Sequence, residues 1–178
     1  MDGFVVWLTG LPSSGKTTIA RVLERELRSR GLKVELLDGD EVRRWLSPEA
    51  GFSREDRERH LRRVAHVSKL LARNGVVVVA SFVSPYRSVR REIREIVEAE
   101  GLKFVEVYVR CSLETAMKRD PKGLYRRAVR GELKNMTGVQ DAYEEPESPE
   151  VVVNSESMTP EQEAEAVLAA LRRMGLLS

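Results

Sequence analysis

The sequence predicts an α/β fold, a mostly parallel sheet with helices on both faces. Two observations carry that expectation. Short apolar runs alternate with amphipathic, charge-rich segments along the chain, and residues 76–79 are four consecutive valines, as expected of a strand buried on both faces. A third sharpens it: the first apolar run passes through a glycine-bounded loop straight into a helical pattern. At 178 residues the chain is read as one domain, 1–178, long enough to bury a substantial core.

Residues 4–9 are the first strand, 17–30 a helix, and 33–37 a second strand that ends at Asp38. In 54–73, Leu61, Val64, Ala65, Leu70 and Leu71 fall at helical spacings, and Asn74-Gly75 stops that helix before the valine strand. A charged helix over 88–100 points Ile93, Ile96 and Val97 inward and closes at Gly101. A strand over 103–109, a helix over 112–119 and a short strand over 151–153 follow. Thr159-Pro160 opens a last helix with an Ala164, Val167, Leu168, Leu171 stripe. Residues 120–149 hold Gly, Pro, Asn and many charges with little core periodicity, which reads either as a surface loop or as a mobile functional segment.

Composition narrows the function classes. Hydrophobic residues make up 42% and charged residues 33%, the balance of an ordered globular protein. The 30 basic and 28 acidic side chains leave a net charge of +2, so nothing points to nucleic acid or to a membrane as a partner, and anion binding must be local. The apolar run at 4–8 is too short for a signal peptide, and no run approaches a membrane span. Cys111 is the only cysteine, which excludes an internal disulfide and makes a cytoplasmic location the expectation.

Gly10-Leu11-Pro12-Ser13-Ser14-Gly15-Lys16-Thr17 matches G-x-x-x-x-G-K-[ST]. In such a loop the glycines let backbone amides turn inward around phosphate oxygens, the lysine adds a positive charge, and the Thr17 hydroxyl is placed to ligate Mg²⁺. Thr18 continues into the helix, whose N-terminus adds partial positive charge. The motif leaves a strand and enters a helix, the context its chemistry requires. The expected fold is therefore of the P-loop NTPase type with three layers, and the expected co-substrates are ATP and Mg²⁺.

A nucleotide-hydrolysing protein of this kind is expected to carry an aspartate at the end of its central strand, but the valine strand runs out into Ala80, Ser81, Phe82, Val83 and Ser84. Asp38-Gly39-Asp40, at the end of the second strand, supplies carboxylates on the same crevice edge. Asp40 suits orientation or deprotonation of an acceptor hydroxyl, and Asp38 suits a metal-bound water or a loop-positioning role. An Asx turn with Gly39 at positive φ is the plain alternative. Downstream, Arg43, Phe52 and Arg57 combine an aromatic face with two guanidinium groups, which fits a ligand with a planar base and anionic oxygens. Arg54, Arg59 and Arg62 read as solvated helix surface. His60 and His66 are isolated, and with one cysteine they make no metal site.

The motifs GLPSSGKTT, LDGDEVR, GFSREDR, SFVSPYR, DPKGLYRRA and TGVQDAYEEPE occur in an order that resembles the adenylyl-sulfate kinases, from about residue 6 to 153. The resemblance implies transfer of the ATP γ-phosphoryl group to the 3′-hydroxyl of adenosine 5′-phosphosulfate. It implies an acceptor pocket built from Arg43, Phe52, Arg57 and His60, and a lid near 122–137 that includes Lys122 and Met136. Ser84 matches a serine described in the family as a phosphoserine intermediate, and a binding role is the alternative. A homodimer is implied in the same way. Three positions depart from the family pattern: His60 and Glu41 stand where asparagine is usual, and Met136 where a phenylalanine commonly stacks on the substrate adenine. A P-loop kinase for another small hydroxyl substrate and a non-catalytic nucleotide-binding module remain alternatives; the intact set Lys16, Thr17, Asp38 and Asp40 speaks against the second.

Overall fold

A computed structural model describes residues 2–178. The chain runs β1 (Phe4–Thr9), α1 (Lys16–Ser29), β2 (Val34–Asp38), α2 (Gly39–Leu46), α3 (Arg54–Arg73), β3 (Val77–Ser81), α4 (Arg87–Glu98), β4 (Lys103–Arg110), α5 (Leu113–Arg119), α6 (Leu124–Val129), β5 (Val151–Asn154) and α7 (Pro160–Arg173). The five strands form one sheet in the order β2-β3-β1-β4-β5, and every neighbouring pair is parallel.

Alternation within the strands divides the core in two. Phe4, Val6 and Leu8 of β1, with Val77 and Val79 of β3, pack against α1 and α7 through Ile19, Leu23, Leu27, Val167, Leu168 and Leu171. Val5 and Trp7, with Val78 and Ala80, face α3 and α4 through Leu61, Val64, Val89, Ile93 and Val97. Both faces are apolar, so the strands carry unbroken hydrophobic runs. The three-layer arrangement is the one expected from the alternating elements.

Caps set several boundaries. Ser53 accepts from the Asp56 amide at the start of α3, and Thr159 and Gln162 form a reciprocal capping box with Pro160 in the first turn of α7. Two helices were not expected. Residues 39–46 form α2, with Asp38 as its N-cap, and Gly39 does not take a positive φ, so the turn reading of Asp38-Gly39-Asp40 gives way to a helix start. Inside 120–149 lies α6, entered through Gly123 at φ 67°.

The C-terminal ends of β1, β2 and β3 form one edge. Asp38 pairs in register with Ser81, and Ser81 with Leu8, two residues before the loop at Gly10. The carboxylate absent from the end of β3 thus sits one strand away, at the end of β2.

Candidate active site

The loop between β1 and α1 is shaped by close approach and by handedness. A Cβ at Gly10 would lie 2.6 Å from the Val109 carbonyl oxygen, and Gly15 takes φ 96° as the residue before α1. The Ser14 amide donates to the Leu11 carbonyl at 3.1 Å, closing the loop, while Thr18 lies exposed in the first turn of α1. Lys16 is buried, and its Nζ donates to the carbonyls of Gly10 (2.9 Å) and Leu11 (2.7 Å). Burial pushes its ammonium down from 10.5 to about 7, partly offset by Asp38 and reinforced by the nearby Lys122 charge.

Thr17 Oγ1 donates to Asp38 Oδ1 at 3.1 Å, and the same oxygen accepts from the Gly39 amide at 3.1 Å. The side chains paired at this point are hard oxygen donors, the chemistry Mg²⁺ selects. Among the described residues no cluster of three or more His, Cys, Asp or Glu side chains is arranged to hold a metal. The fit is therefore to an ion carried largely by substrate phosphates and water, with one or two protein oxygens. Asp40, on the first turn of α2, is ion-paired with Lys122, so the crevice edge is bridged to the segment before α6.

That segment is fixed at its base. Asp120, at φ 23°, accepts from the amides of Tyr125 (3.0 Å) and Arg126 (3.1 Å), and the Tyr125 hydroxyl donates to the Pro12 carbonyl at 2.7 Å. The segment beyond α6 is tied to α3 and α4. Arg57 Nη2 donates to Asp141 Oδ2 at 2.7 Å and to the Tyr86 hydroxyl at 3.0 Å, and Tyr86 in turn hydrogen-bonds Asp141. Burial works to raise the Asp141 carboxyl, but the hydrogen bonds from Tyr86 and Arg57 outweigh it and hold the group below the usual carboxylate range. Farther on, Arg90 donates to the Ser84 carbonyl at 2.6 Å and to the Glu144 carbonyl, and Arg94 grips Glu150 with both terminal nitrogens.

The expected acceptor-side residues are placed unequally. The Arg43 guanidinium lies 4.7 Å from the ring centroid of Phe52, a residue that is 67% exposed, and Arg43 also donates to the Gly51 carbonyl. Arg57 is close enough that its charge depresses the Arg43 pKa, after the larger effect of burial. His60 is buried: Nδ1 lies 2.7 Å from Ser47 Oγ, and the ring meets Phe82 edge-on at 5.9 Å. Burial, with Arg43 and Arg63 nearby, pushes its imidazole down to about 4, so the ring is neutral at physiological pH. Met136 packs with Leu11 against Tyr125 and Cys111. Ser84 is 2% exposed at φ 42°; its Oγ accepts from Trp7 Nε1 at 3.0 Å and reaches Thr9 Oγ1 at 3.0 Å and the Phe82 carbonyl at 3.1 Å.

The residues not singled out in the sequence are Tyr125, Asp141 and Tyr143. All three lie inside the motifs DPKGLY and QDAYEE, which were the available signal. Tyr143, for example, meets Thr9 Oγ1 at 2.8 Å, far from it in sequence.

A family model described as adenylylsulphate kinase matches residues 2–154. The chain is 57% identical over 157 residues to a probable adenylyl-sulfate kinase of Aeropyrum pernix, covering 88% of this chain and 86% of the relative. It is 51% identical over 175 residues to the adenylyl-sulfate kinase of Myxococcus xanthus, covering 98% and 94%. The Mycobacterium tuberculosis APS kinase, solved in complex with AMPPNP and APS, superposes with a TM-score of 0.93 at 36% identity, covering 96% of this chain and 98% of that one. With the phosphate loop, the two β2-edge aspartates and the tethered segment in place, the chain belongs to the adenylylsulphate kinase family.

Proposed function

We propose that the protein transfers the γ-phosphoryl group of ATP to the 3′-hydroxyl of adenosine 5′-phosphosulfate, giving 3′-phosphoadenylyl sulfate and ADP. The observation that carries the assignment of roles is the pair of aspartates on either side of the β2–α2 junction. Asp38 faces the loop through Thr17, and Asp40 faces the segment before α6 through Lys122.

The loop amides and Lys16 hold the β- and γ-phosphates. Thr17 and Asp38 would hold Mg²⁺, and the ion would supply neutralisation of charge on the phosphate oxygens. Asp40 accepts the proton of the 3′-hydroxyl as that oxygen attacks the γ-phosphorus in line with the breaking bond to the β–γ bridging oxygen. ADP departs with the electrons of that bond. Lys122 and Arg126 are the cations of the lid, 120–149 within the single domain, and stabilise charge on the moving group. Arg43 and Arg57 take the anionic phosphosulfate, and Phe52 and Met136 cover the acceptor base.

We assign Ser84 the task of holding the β3–α4 connection rather than carrying a phosphoryl group. Its buried hydroxyl is committed to Trp7, Thr9 and Phe82, and direct transfer has no need of a second nucleophile. His60 supports the pocket from beneath through Ser47. A cytoplasmic homodimer is the setting we favour, on the family resemblance; no helix among the described residues is long and apolar enough to cross a membrane.

The deciding experiment incubates the protein with ATP, Mg²⁺ and adenylyl sulfate and follows ADP together with the sulfated bisphosphate. Turnover only with a sugar or an unsulfated nucleotide would move the protein to another kinase class. Nucleotide binding without product over hours would make it a binding module.

A further inference from the structure

We infer that Asp141 is a positioning residue for the acceptor site: with Tyr86 it holds Arg57 so that the unpartnered Nε–H is left for the anionic group of the acceptor. The inference rests on the reading of Arg57 as an anion-binding residue.

The geometry supplies the reasons. The Arg57 side chain is only 16% exposed, and Nη2 is committed to Asp141 at 2.7 Å and to Tyr86 at 3.0 Å. Nη1 makes one long contact with Thr137 Oγ1 at 3.4 Å, and Nε, buried, has no partner among the described residues. A buried donor on a charged group is costly to leave unpaired, and a phosphate or sulfate oxygen is the acceptor that suits it best. Guanidinium recognition is planar, so fixing one nitrogen fixes the direction of the others.

Asp141 is itself held on every side. Its Oδ1 accepts from the Ala142 amide at 2.9 Å, its amide donates to the Met136 carbonyl at 3.1 Å, and its carbonyl accepts from the Gly138 amide at 2.7 Å. Thr137 and Asp141 also form a β-bridge. The carboxylate is therefore mounted on a closed turn of the segment after α6, and not on a loose side chain. Tyr86 is buried and ends the connection before α4, with the Arg54 guanidinium stacked 3.8 Å from its ring centroid. One contact thus orients the anion-binding arginine and ties the lid to α3. An acceptor anion that meets Arg57 at Nε completes a set that Asp141 and Tyr86 have already begun.

The test is steady-state kinetics on the intact protein with Arg57→Lys, Asp141→Asn, Tyr86→Phe and the double variant Arg57→Lys/Asp141→Asn, each checked for an unchanged circular dichroism spectrum. Arg57→Lys should raise the KM for adenylyl sulfate. Asp141→Asn should raise it about tenfold while the KM for ATP moves less than about twofold, and the double variant should be little worse than Arg57→Lys alone, because both act through one guanidinium. Tyr86→Phe, which keeps the ring and loses only the hydroxyl, should shift the same constant in the same direction. A lower KM for adenylyl sulfate in Asp141→Asn would mean that the carboxylate competes with the acceptor, and would overturn the proposal. So would equal changes in both KM values, or full additivity with Arg57→Lys. No effect of Arg57→Lys itself would instead remove the reading of Arg57 on which the proposal stands.

Discussion

Trp7 Nε1 donates a buried hydrogen bond to Ser84 Oγ at 3.0 Å, joining the central strand β1 to the connection between β3 and α4. The indole stacks against Phe82 and Phe104, at 5.2 and 6.2 Å between ring centroids. Ser84→Ala leaves that N–H unpaired and should cost about 1–3 kcal/mol of stability. Turnover at a temperature where the variant is folded should remain within about threefold of wild type, since no transition-state contact is lost. Urea denaturation reads the first effect. Mass spectrometry of the wild type quenched during turnover reads the mechanism, and phosphate on Ser84 formed at the turnover rate would defeat direct transfer.

Asp40 gives the contrasting case. It is exposed, ion-paired with Lys122 and in the first turn of α2, and makes no contribution to the core, so its removal should change stability by no more than about 1 kcal/mol. Loss of a general base typically lowers the chemical step by about 10²–10⁴, and Asp40→Ala should fall in that range in single-turnover measurements. Asp40→Asn should fall with it, because the amide keeps the size and loses the proton-accepting oxygen charge. Losses of the same size in Asp40→Ala and Ser84→Ala would count against Asp40 as the base.

These contrasts bear on what the sequence makes legible. The sheet and its main helices follow from local signals: four valines, the Thr159-Pro160 helix start, the Asn74-Gly75 stop. Helix α2 was hidden because Asp38-Gly39-Asp40 is turn-like in composition, and the helix forms with Asp38 capping it and Val42 buried against the α3–α4 face. The phosphate loop is contiguous and readable at sight. Tyr125, Asp141 and Tyr143 are not, since their partners Pro12, Arg57 and Thr9 lie 113, 84 and 134 residues away. Only the folded sheet edge brings those pairs together.

The Thr17–Asp38 contact predicts how the metal requirement divides. Asp38→Asn keeps an oxygen able to cap α2, so the fold is retained, while the charge that favours a divalent cation is lost. The Mg²⁺ concentration for half-maximal turnover should rise by about tenfold or more, and Thr17→Ser, which keeps the hydroxyl, should change it by less than about threefold. EDTA should abolish turnover of the wild type, with full recovery on adding back Mg²⁺. An unchanged Mg²⁺ requirement in Asp38→Asn would place the metal on other groups.

Lys16 predicts a pH signature in both folding and binding. Burial pushes its ammonium from 10.5 to about 7 in the folded chain, so between those values the unfolded chain holds a proton that the folded chain has released. Stability contributed by this group is therefore fully present above 10.5 and is lost as pH falls through about 7, where the folded protein must bury the charged form. Relative to Lys16→Met, the wild type should gain stability steadily from about pH 7 to pH 10 in urea titrations. Nucleotide phosphates favour the ammonium, so binding should restore the proton. Calorimetry at about pH 8.5 in two buffers of different ionisation enthalpy should show uptake approaching about one proton per nucleotide, and almost none at about pH 6, where Lys16 is already charged. The Lys16→Met variant, at nucleotide concentrations high enough to saturate its weaker site, should show no uptake at either pH. Uptake that survives this substitution would place the proton on another group and remove Lys16 as the residue whose charge is switched on by phosphate.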